Sequence, residues 1–130
     1  MEKYKIIGNH PLSGEIKVSG AKNAALKILA ASILSDQICQ VENIPQIEDI
    51  KRMAEILESL GAKITWQESN LEIDPSGIKK STPDQQLVKK LRSSIMLAGP
   101  LLARFGEVTM SHPGGCIIGK RPIDLFLSGL

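Results

Sequence analysis

The apolar stretch from Ala24 to Leu34 constrains the fold more than any other part of the chain. Lys27 and Ser32 are its only polar residues, so a helix over this stretch has almost no polar face. A helix that is apolar on nearly all sides is stable only when neighbouring elements bury it. The sequence therefore predicts a helix from Ala24 to Leu34 that is buried on nearly every side.

Lys22 and Asn23 stand directly before this apolar stretch, within Ser19-Gly20-Ala21-Lys22-Asn23. Free N–H groups and the helix dipole attract anions at a helix N-terminus, and a lysine adds a point charge suited to phosphate. The alternative is an ordinary helix cap at Asn23 with a solvated Lys22 beside it. The residues alone leave both interpretations open.

The second informative stretch runs from Ser111 to Asp124 and contains Gly114-Gly115-Cys116 followed by Lys120-Arg121-Pro122. The glycines are typical of a mobile loop, and the two cations near the thiol favour its thiolate form. Pro122 fits the first turn of a helix, whose N–H groups favour anions. Together these features indicate chemistry on a negatively charged substrate. The alternative is a surface turn with an idle cysteine.

Composition narrows the functional classes. The 130 residues suffice for one domain or for part of a larger one. A net charge of +2 and an aromatic content of 3% do not favour nucleic-acid binding. Cys39 and Cys116 lie far apart without a C-x-x-C spacing, so no metal site is predicted. With no signal peptide at Met1 and no run of membrane-spanning length, we expect a cytoplasmic protein.

Hydrophobic periodicity predicts alternating strands and helices in the order β-α-β-α-β-β, then α-β-α, and so an α/β fold. The predicted strands are Tyr4–Gly8, Glu15–Val18, Ile38–Val41, Lys63–Trp66, Leu71–Ile73 and Glu107–Met110. The other predicted helices are Ile47–Leu60, Gln85–Phe105, with a kink at Gly99-Pro100, and one from Pro122 to Leu130. Arg92 lies one residue away from the apolar stripe of the predicted helix Gln85–Phe105. It is either an anion clamp in a cleft or a solvated cation.

Four ordered motifs together resemble the UDP-N-acetylglucosamine 1-carboxyvinyltransferase family of enolpyruvyl transferases. They are Ser19-Gly20-Ala21-Lys22-Asn23-Ala24-Ala25-Leu26, Leu91-Arg92-Ser93-Ser94-Ile95, the stretch from Gly99 to Gly106, and the stretch from Pro113 to Leu125. The resemblance covers the whole chain, but members of the family are far longer, and only their N-terminal part is matched.

The resemblance implies an α/β (α+β) fold of two lobes, each built from repeated β-α-β-α-β-β units, with the active site between them. Residues 1–21 would then be strands of the other lobe. Residues 22–130 would form an incomplete lobe that carries the cysteine loop. From this truncation we expect the isolated chain to be inactive and to self-associate.

The resemblance further implies transfer of the enolpyruvyl group of phosphoenolpyruvate to the 3-hydroxyl of UDP-N-acetylglucosamine, with release of phosphate and without metal or cofactor. This reaction is the first committed step of peptidoglycan synthesis. Cys116 would be the general acid, would form a covalent adduct with phosphoenolpyruvate, and would be the target of fosfomycin. Phosphoenolpyruvate would be bound by Lys22, Asn23 and Arg121. The UDP-sugar would be bound by Asn23, Arg92, Arg121, Pro122, Ile123, Asp124 and Leu125.

Two alternatives remain from the sequence. The first is a shikimate-pathway enolpyruvyl transferase, which shares the fold but lacks the Gly-Gly-Cys loop. The second is a non-catalytic module that binds a nucleotide sugar or RNA, in which a thiol on a glycine-rich loop would have no purpose. The sequence favours the two small-molecule substrates as partners, rather than nucleic acid or a membrane.

Overall fold

The structure is a computed structural model, and it describes residues 3–114 and 122–130. Five α-helices and three strands are present in this part of the chain, together with two short 3₁₀ helices. In chain order the elements are α1 Lys22–Ala31, the 3₁₀ helix Ser32–Leu34, β1 Cys39–Val41, α2 Glu48–Leu60, β2 Lys63–Gln67, β3 Asn70–Asp74, α3 Gln85–Lys90, the 3₁₀ helix Arg92–Leu97, α4 Ala98–Phe105 and α5 Asp124–Gly129.

The three strands form an antiparallel sheet in the order β1-β3-β2, in which Ile73 of β3 lies opposite Cys39 on one side and Ile64 on the other. Helices and sheet share one hydrophobic core, which confirms the predicted α/β class. Its fully buried side chains include Leu29, Ile50, Met53, Leu57, Leu71, Ile73 and Leu101.

The predictions for α2 and for the hairpin that follows it are confirmed. Glu48 and Asp49 occupy the first turn of α2, where carboxylates complement the helix dipole. Gly61 ends the helix at a φ of 114°, a backbone conformation that glycine adopts without steric cost. Strands β2 and β3 then pair directly, as the alternating pattern predicts.

Helix α1 is buried on one side only, so the prediction of burial on nearly every side is wrong for the part of the chain described. Leu26, Leu29 and Ile33 are at most 3% exposed, whereas Ile28 is 46% and Leu34 59% exposed. The reason is that α1 packs against α2 and the 3₁₀ helix Arg92–Leu97, and these elements cover a single face. An apolar stripe of α1 remains in contact with solvent.

The strands predicted at Tyr4–Gly8 and Glu15–Val18 are absent, because residues 3–21 form neither helix nor strand in this structure. Ile6 and Ile16 are each 90% exposed. A β-strand needs a neighbouring strand for its backbone hydrogen bonds, and none of the three described strands pairs with this segment.

The long helix predicted from Gln85 to Phe105 is broken, but at Leu91 instead of Gly99-Pro100. Leu91 adopts an extended conformation, with φ −133° and ψ 114°, and the chain continues as a 3₁₀ helix before α4. Pro100 lies in the first turn of α4, where backbone N–H groups have no partner within the helix, so the N–H that proline lacks is not needed there. The proline therefore fits the start of a helix and produces no kink.

Ser94 stabilises the break at Leu91. Its fully buried hydroxyl donates hydrogen bonds to the carbonyl oxygens of Leu91 at 2.6 Å and Val88 at 3.2 Å. Each carbonyl also accepts a backbone N–H bond at 3.2 Å, that of Val88 from Leu91 and that of Leu91 from Ser94, so the hydroxyl is a second donor to both.

We predict that Ser94→Ala lowers the free energy of unfolding by about 1–2 kcal/mol, because two buried carbonyls lose a donor. The matched control is Ser93→Ala, since Ser93 is half-buried and, among the described residues, its hydroxyl donates no hydrogen bond to a carbonyl of the break. This control is expected to change stability by less than about 0.5 kcal/mol. Urea denaturation of both variants is the measurement, and equal losses of stability would contradict the role assigned to Ser94.

Candidate functional site

The entry into α1 is fixed by a close backbone approach at Gly20. A Cβ atom at this position would overlap the carbonyl oxygen of Asn43, and it would also touch the ring of Pro45. Glycine is therefore required for the segment before α1 to lie against the loop that leads into α2. This contact sets the position of Lys22 relative to the first turn of α2.

Lys22 is the first residue of α1, and its ammonium group forms an ion pair with the carboxylate of Asp49. The two side chains are 48% and 36% exposed, so the pair is accessible to solvent. Sequence reasoning identified Lys22 but assigned Asp49 no part in the site. No spacing rule connects residues on two different helices, and the pairing depends on how α1 packs against α2.

Asn23 is the second residue of α1 and does not cap it. Ala21 occupies the cap position, without a side-chain hydrogen bond, so the helix-cap interpretation of Asn23 is wrong. Asn23 instead lines a groove of about 250 Å³ between α1 and the 3₁₀ helix Arg92–Leu97. Its other lining residues are Leu26, Lys27, Ser93 and Met96. Sequence reasoning gave no site role to Lys27, which lies outside the motifs, or to Ser93, which lies within the motif Leu91–Ile95.

Arg92 is the first residue of the 3₁₀ helix and is half-buried. Among residues 3–114 and 122–130, its guanidinium group takes part in neither of the two ion pairs, Lys22–Asp49 and Arg52–Glu48. Arg92 precedes Ser93, which lines the groove with Asn23. A planar guanidinium with five donors at this position suits a carboxylate or a phosphate.

The segment before Cys116 runs along α3. Ser111 donates hydrogen bonds to the carbonyl oxygen and Oε1 of Gln85, at 3.3 and 2.5 Å, and Gln85 Nε2 donates to the carbonyl of Thr109 at 3.4 Å. Further along, a Cβ atom at Gly114 would overlap the carbonyl oxygen of Lys89. The predicted strand Glu107–Met110 is therefore absent; side-chain bonds to a helix, and no strand ladder, hold this region.

Helix α3 supports this segment and is itself capped by Asp84. The Asp84 carboxylate accepts hydrogen bonds from the backbone N–H groups of Leu87 at 3.0 Å and Gln86 at 2.8 Å. These two bonds favour the charged form and hold the pKa of Asp84 below its usual value. The cap remains ionised at neutral pH and stabilises the start of α3.

Residues 122–130 include one residue, Ile123, that packs against the 3₁₀ helix Arg92–Leu97 and the start of α4. Ile123 is 8% exposed and packs with Ile95 and Ala98. Pro122, Asp124 and Leu125 are exposed. Helix α5 begins at Asp124, so Pro122 precedes the helix by two residues and does not lie in its first turn, in contrast to the prediction.

The 3₁₀ helix Arg92–Leu97 thus connects the parts of the candidate site. Asn23 borders the groove on one side, Gly114 lies against Lys89 just before the break, and Ile123 packs on another side. Of the predicted site residues that the structure describes, Asn23 lines the groove; Lys22 precedes Asn23 and pairs with Asp49, and Arg92 precedes Ser93. The predicted site residues Cys116 and Arg121, and the neighbouring Lys120, lie outside the described residues.

Metal binding and membrane spanning are two further properties that the described residues allow us to examine. In residues 3–114 and 122–130, no three His, Cys, Asp or Glu side chains are grouped so that they could hold a metal ion. No helix in the described part of the chain has the length and apolar character needed to cross a membrane.

Comparison with known proteins gives a consistent result. The family model of EPSP synthase (3-phosphoshikimate 1-carboxyvinyltransferase) matches residues 6–130. UDP-N-acetylglucosamine 1-carboxyvinyltransferase of Vibrio parahaemolyticus serotype O3:K6 is 49% identical over 100% of this chain and 31% of that protein. The protein of the same name from Helicobacter pylori strain 26695 is 47% identical with the same coverage. The chain thus spans about a third of the length of these relatives.

A solved structure supports the same assignment. The crystal structure of the enolpyruvyl transferase NikO from Streptomyces tendae superimposes with a TM-score of 0.68 at 26% identity, over 76% of this chain and 23% of that one. The resemblance found in the sequence motifs is confirmed. Since the family model matches nearly the whole chain, this chain belongs to the EPSP synthase family of enolpyruvyl transferases.

Proposed function

We propose that this chain forms one wall of an active site that transfers the enolpyruvyl group of phosphoenolpyruvate to the 3-hydroxyl of UDP-N-acetylglucosamine. The observation that carries the proposal is the identity of 47–49% with proteins of that name over the full length of the chain. The place of Asn23 in the groove beside Ser93, directly after Lys22 in α1, supports it. The product would enter peptidoglycan synthesis, and the compartment would be the cytoplasm.

The proposed reaction is an addition followed by an elimination. In the addition, the 3-hydroxyl loses its proton to a base outside this chain while its oxygen bonds to the substituted carbon of the enol, and a proton added to the methylene carbon makes a methyl group. In the elimination, the carbon–oxygen bond to phosphate breaks, phosphate leaves, and a proton lost from that methyl group restores the double bond. Cys116 is proposed as the acid that supplies the first proton, because a thiol pKa can be tuned towards neutrality. The same thiol would be the residue modified by fosfomycin.

The cationic and amide side chains have separate proposed roles. Lys22 and Arg121 would offset the charge of the phosphate and carboxylate groups of phosphoenolpyruvate. Arg92 would clamp the diphosphate of the nucleotide sugar, with Arg121 to Leu125 as further contacts. Asn23 would donate or accept hydrogen bonds where the two substrates meet, which is consistent with its place in the groove beside Ser93.

The position of residues 3–21 is consistent with the proposal that residues 1–21 belong to a second lobe, while residues 22–130 form part of the first. Tyr4, Ile6, Leu12 and Ile16 are each at least 90% exposed. Apolar side chains in an alternating pattern gain stability when a neighbouring sheet covers them. The two-lobed arrangement would supply that sheet.

A shikimate-pathway enolpyruvyl transferase is the second candidate, because the matching family model bears that description. The Gly114-Gly115-Cys116 motif and the named relatives favour the nucleotide sugar instead. Phosphate release measured separately with UDP-N-acetylglucosamine and with shikimate 3-phosphate distinguishes the two acceptors.

We predict that Lys22→Ala, in a protein extended to the length of the relatives, lowers turnover with UDP-N-acetylglucosamine about 10- to 100-fold. A charge-assisted contact of this kind is worth about 1.5–3 kcal/mol. The melting temperature should change little, because Lys22 is half-exposed. Lys51→Ala, in the exposed face of α2, is the matched control and should keep full turnover. Normal turnover of Lys22→Ala with a collapsed melting temperature would assign Lys22 a structural role only.

For the 130-residue chain alone, we predict self-association and no detectable enolpyruvyl transfer. The exposed apolar residues of segment 3–21, together with Ile28 on α1 and Leu34 on the 3₁₀ helix that follows it, would associate to leave water. Sedimentation velocity is the measurement. Ile28→Glu combined with Leu34→Glu should reduce association more than Lys27→Glu, which alters a charged neighbour on the same helix. A stable monomer that releases phosphate would contradict both parts of the prediction.

A further inference from the structure

The ion pair between Lys22 and Asp49 lies where two helices begin. Lys22 is the first residue of α1, and Asp49 is the second residue of α2. Helix N-termini carry partial positive charge, so the carboxylate of Asp49 is the anion now bound in this electropositive region. Any other anion that reaches Lys22 meets this carboxylate first.

The neighbouring charges show that Asp49 is directed specifically to Lys22. Glu48, which precedes Asp49 in the same turn of α2, pairs instead with Arg52 at 2.8 Å, one helical turn along. The Asp49 side chain is 36% exposed and that of Lys22 is 48% exposed. Exchange of the lysine between two anions therefore needs no opening of the hydrophobic core.

We infer that Asp49 is an internal counter-ion for Lys22, and that the phosphate group of the ligand must take its place. This inference rests on the proposed function, in which Lys22 binds the phosphate of phosphoenolpyruvate. An ammonium group on a flexible four-carbon stem can turn from one anion to another. Asp49 repels the incoming phosphate and competes with it for the same donor, so it is a positioning residue that lowers the affinity of the empty site for anions.

The test is a titration of the 130-residue chain with inorganic phosphate at low ionic strength, followed through the backbone amide signals of Lys22 and Asn23. Asp49→Asn is expected to bind phosphate about tenfold more tightly, because a like charge and a competitor are both removed. Glu48→Gln is the matched control, since it removes a charge from the same helical turn; its affinity should stay within about twofold of the wild type. Asp49→Glu, which restores the charge, should return the affinity to that of the unaltered chain.

A second measurement needs no variant at all. In the unaltered chain, saturation with phosphate is expected to shift the carboxyl carbon signal of Asp49, because this group loses its ammonium partner. The carboxyl signal of Glu48 should not follow. An Asp49 signal that stays constant at saturation would overturn the inference even if Asp49→Asn failed to fold.

A third variant distinguishes the counter-ion role of Asp49 from the proposed anion-binding role of Lys22. Lys22→Met should abolish phosphate binding both as a single substitution and in combination with Asp49→Asn. If binding depends on Lys22 but Asp49→Asn binds no more tightly, the counter-ion role is wrong and the anion role of Lys22 remains. If Lys22→Met binds phosphate as well as the unaltered chain, the proposed role of Lys22 is wrong instead.

Discussion

The buried hydroxyl of Ser94 holds the backbone break at Leu91 through bonds of 2.6 and 3.2 Å to two carbonyl oxygens. In a continuous α-helix, the carbonyl of Lys89 would accept the N–H group four residues later. The break releases that carbonyl, and the backbone of Gly114 lies directly against it. It also starts a new helix at Arg92, whose next residue reaches the groove beside Asn23. Loss of the break would disturb both the contact with Gly114 and the groove beside Asn23.

Electrostatics at the start of α1 then determine what this arrangement can bind. The close contact of Gly20 with Asn43 brings α1 and α2 together at their N-termini, and Lys22 pairs with Asp49 there. Asn23, the next residue of α1, lines the groove beside Ser93. Because the side chains of Lys22 and Asp49 are accessible to solvent, an anion can replace Asp49 at Lys22 without exposing the core. The charge at the start of α1 therefore favours an anionic ligand.

Local signals made α2 and the β2–β3 hairpin predictable, since apolar spacing, first-turn carboxylates and Gly61 all lie within the elements they define. Leu91 carries no such signal, and its extended backbone depends on the buried contacts of Ser94. The pairing of Lys22 with Asp49 likewise depends on tertiary packing. The sequence pattern of residues 4–18 suits strands, but pattern alone cannot supply the neighbour that a strand requires. Motifs identified Lys22, Asn23 and Arg92, while the partner of Lys22, Asp49, and the place of Ser93 in the groove came from contacts.

The central proposal is that Cys116 and the residues at the start of α1 serve one active site. A nitroxide attached to Cys116, in a chain with Cys39→Ser, tests it directly through paramagnetic broadening of backbone amide signals. We expect strong broadening at Asn23 and Ser93 and little at Gly77, which lies against Gly61 at the other end of α2. Sharp signals at Asn23 and Ser93, with broadening at Gly77, would show that the thiol and the anion-binding residues do not share a site.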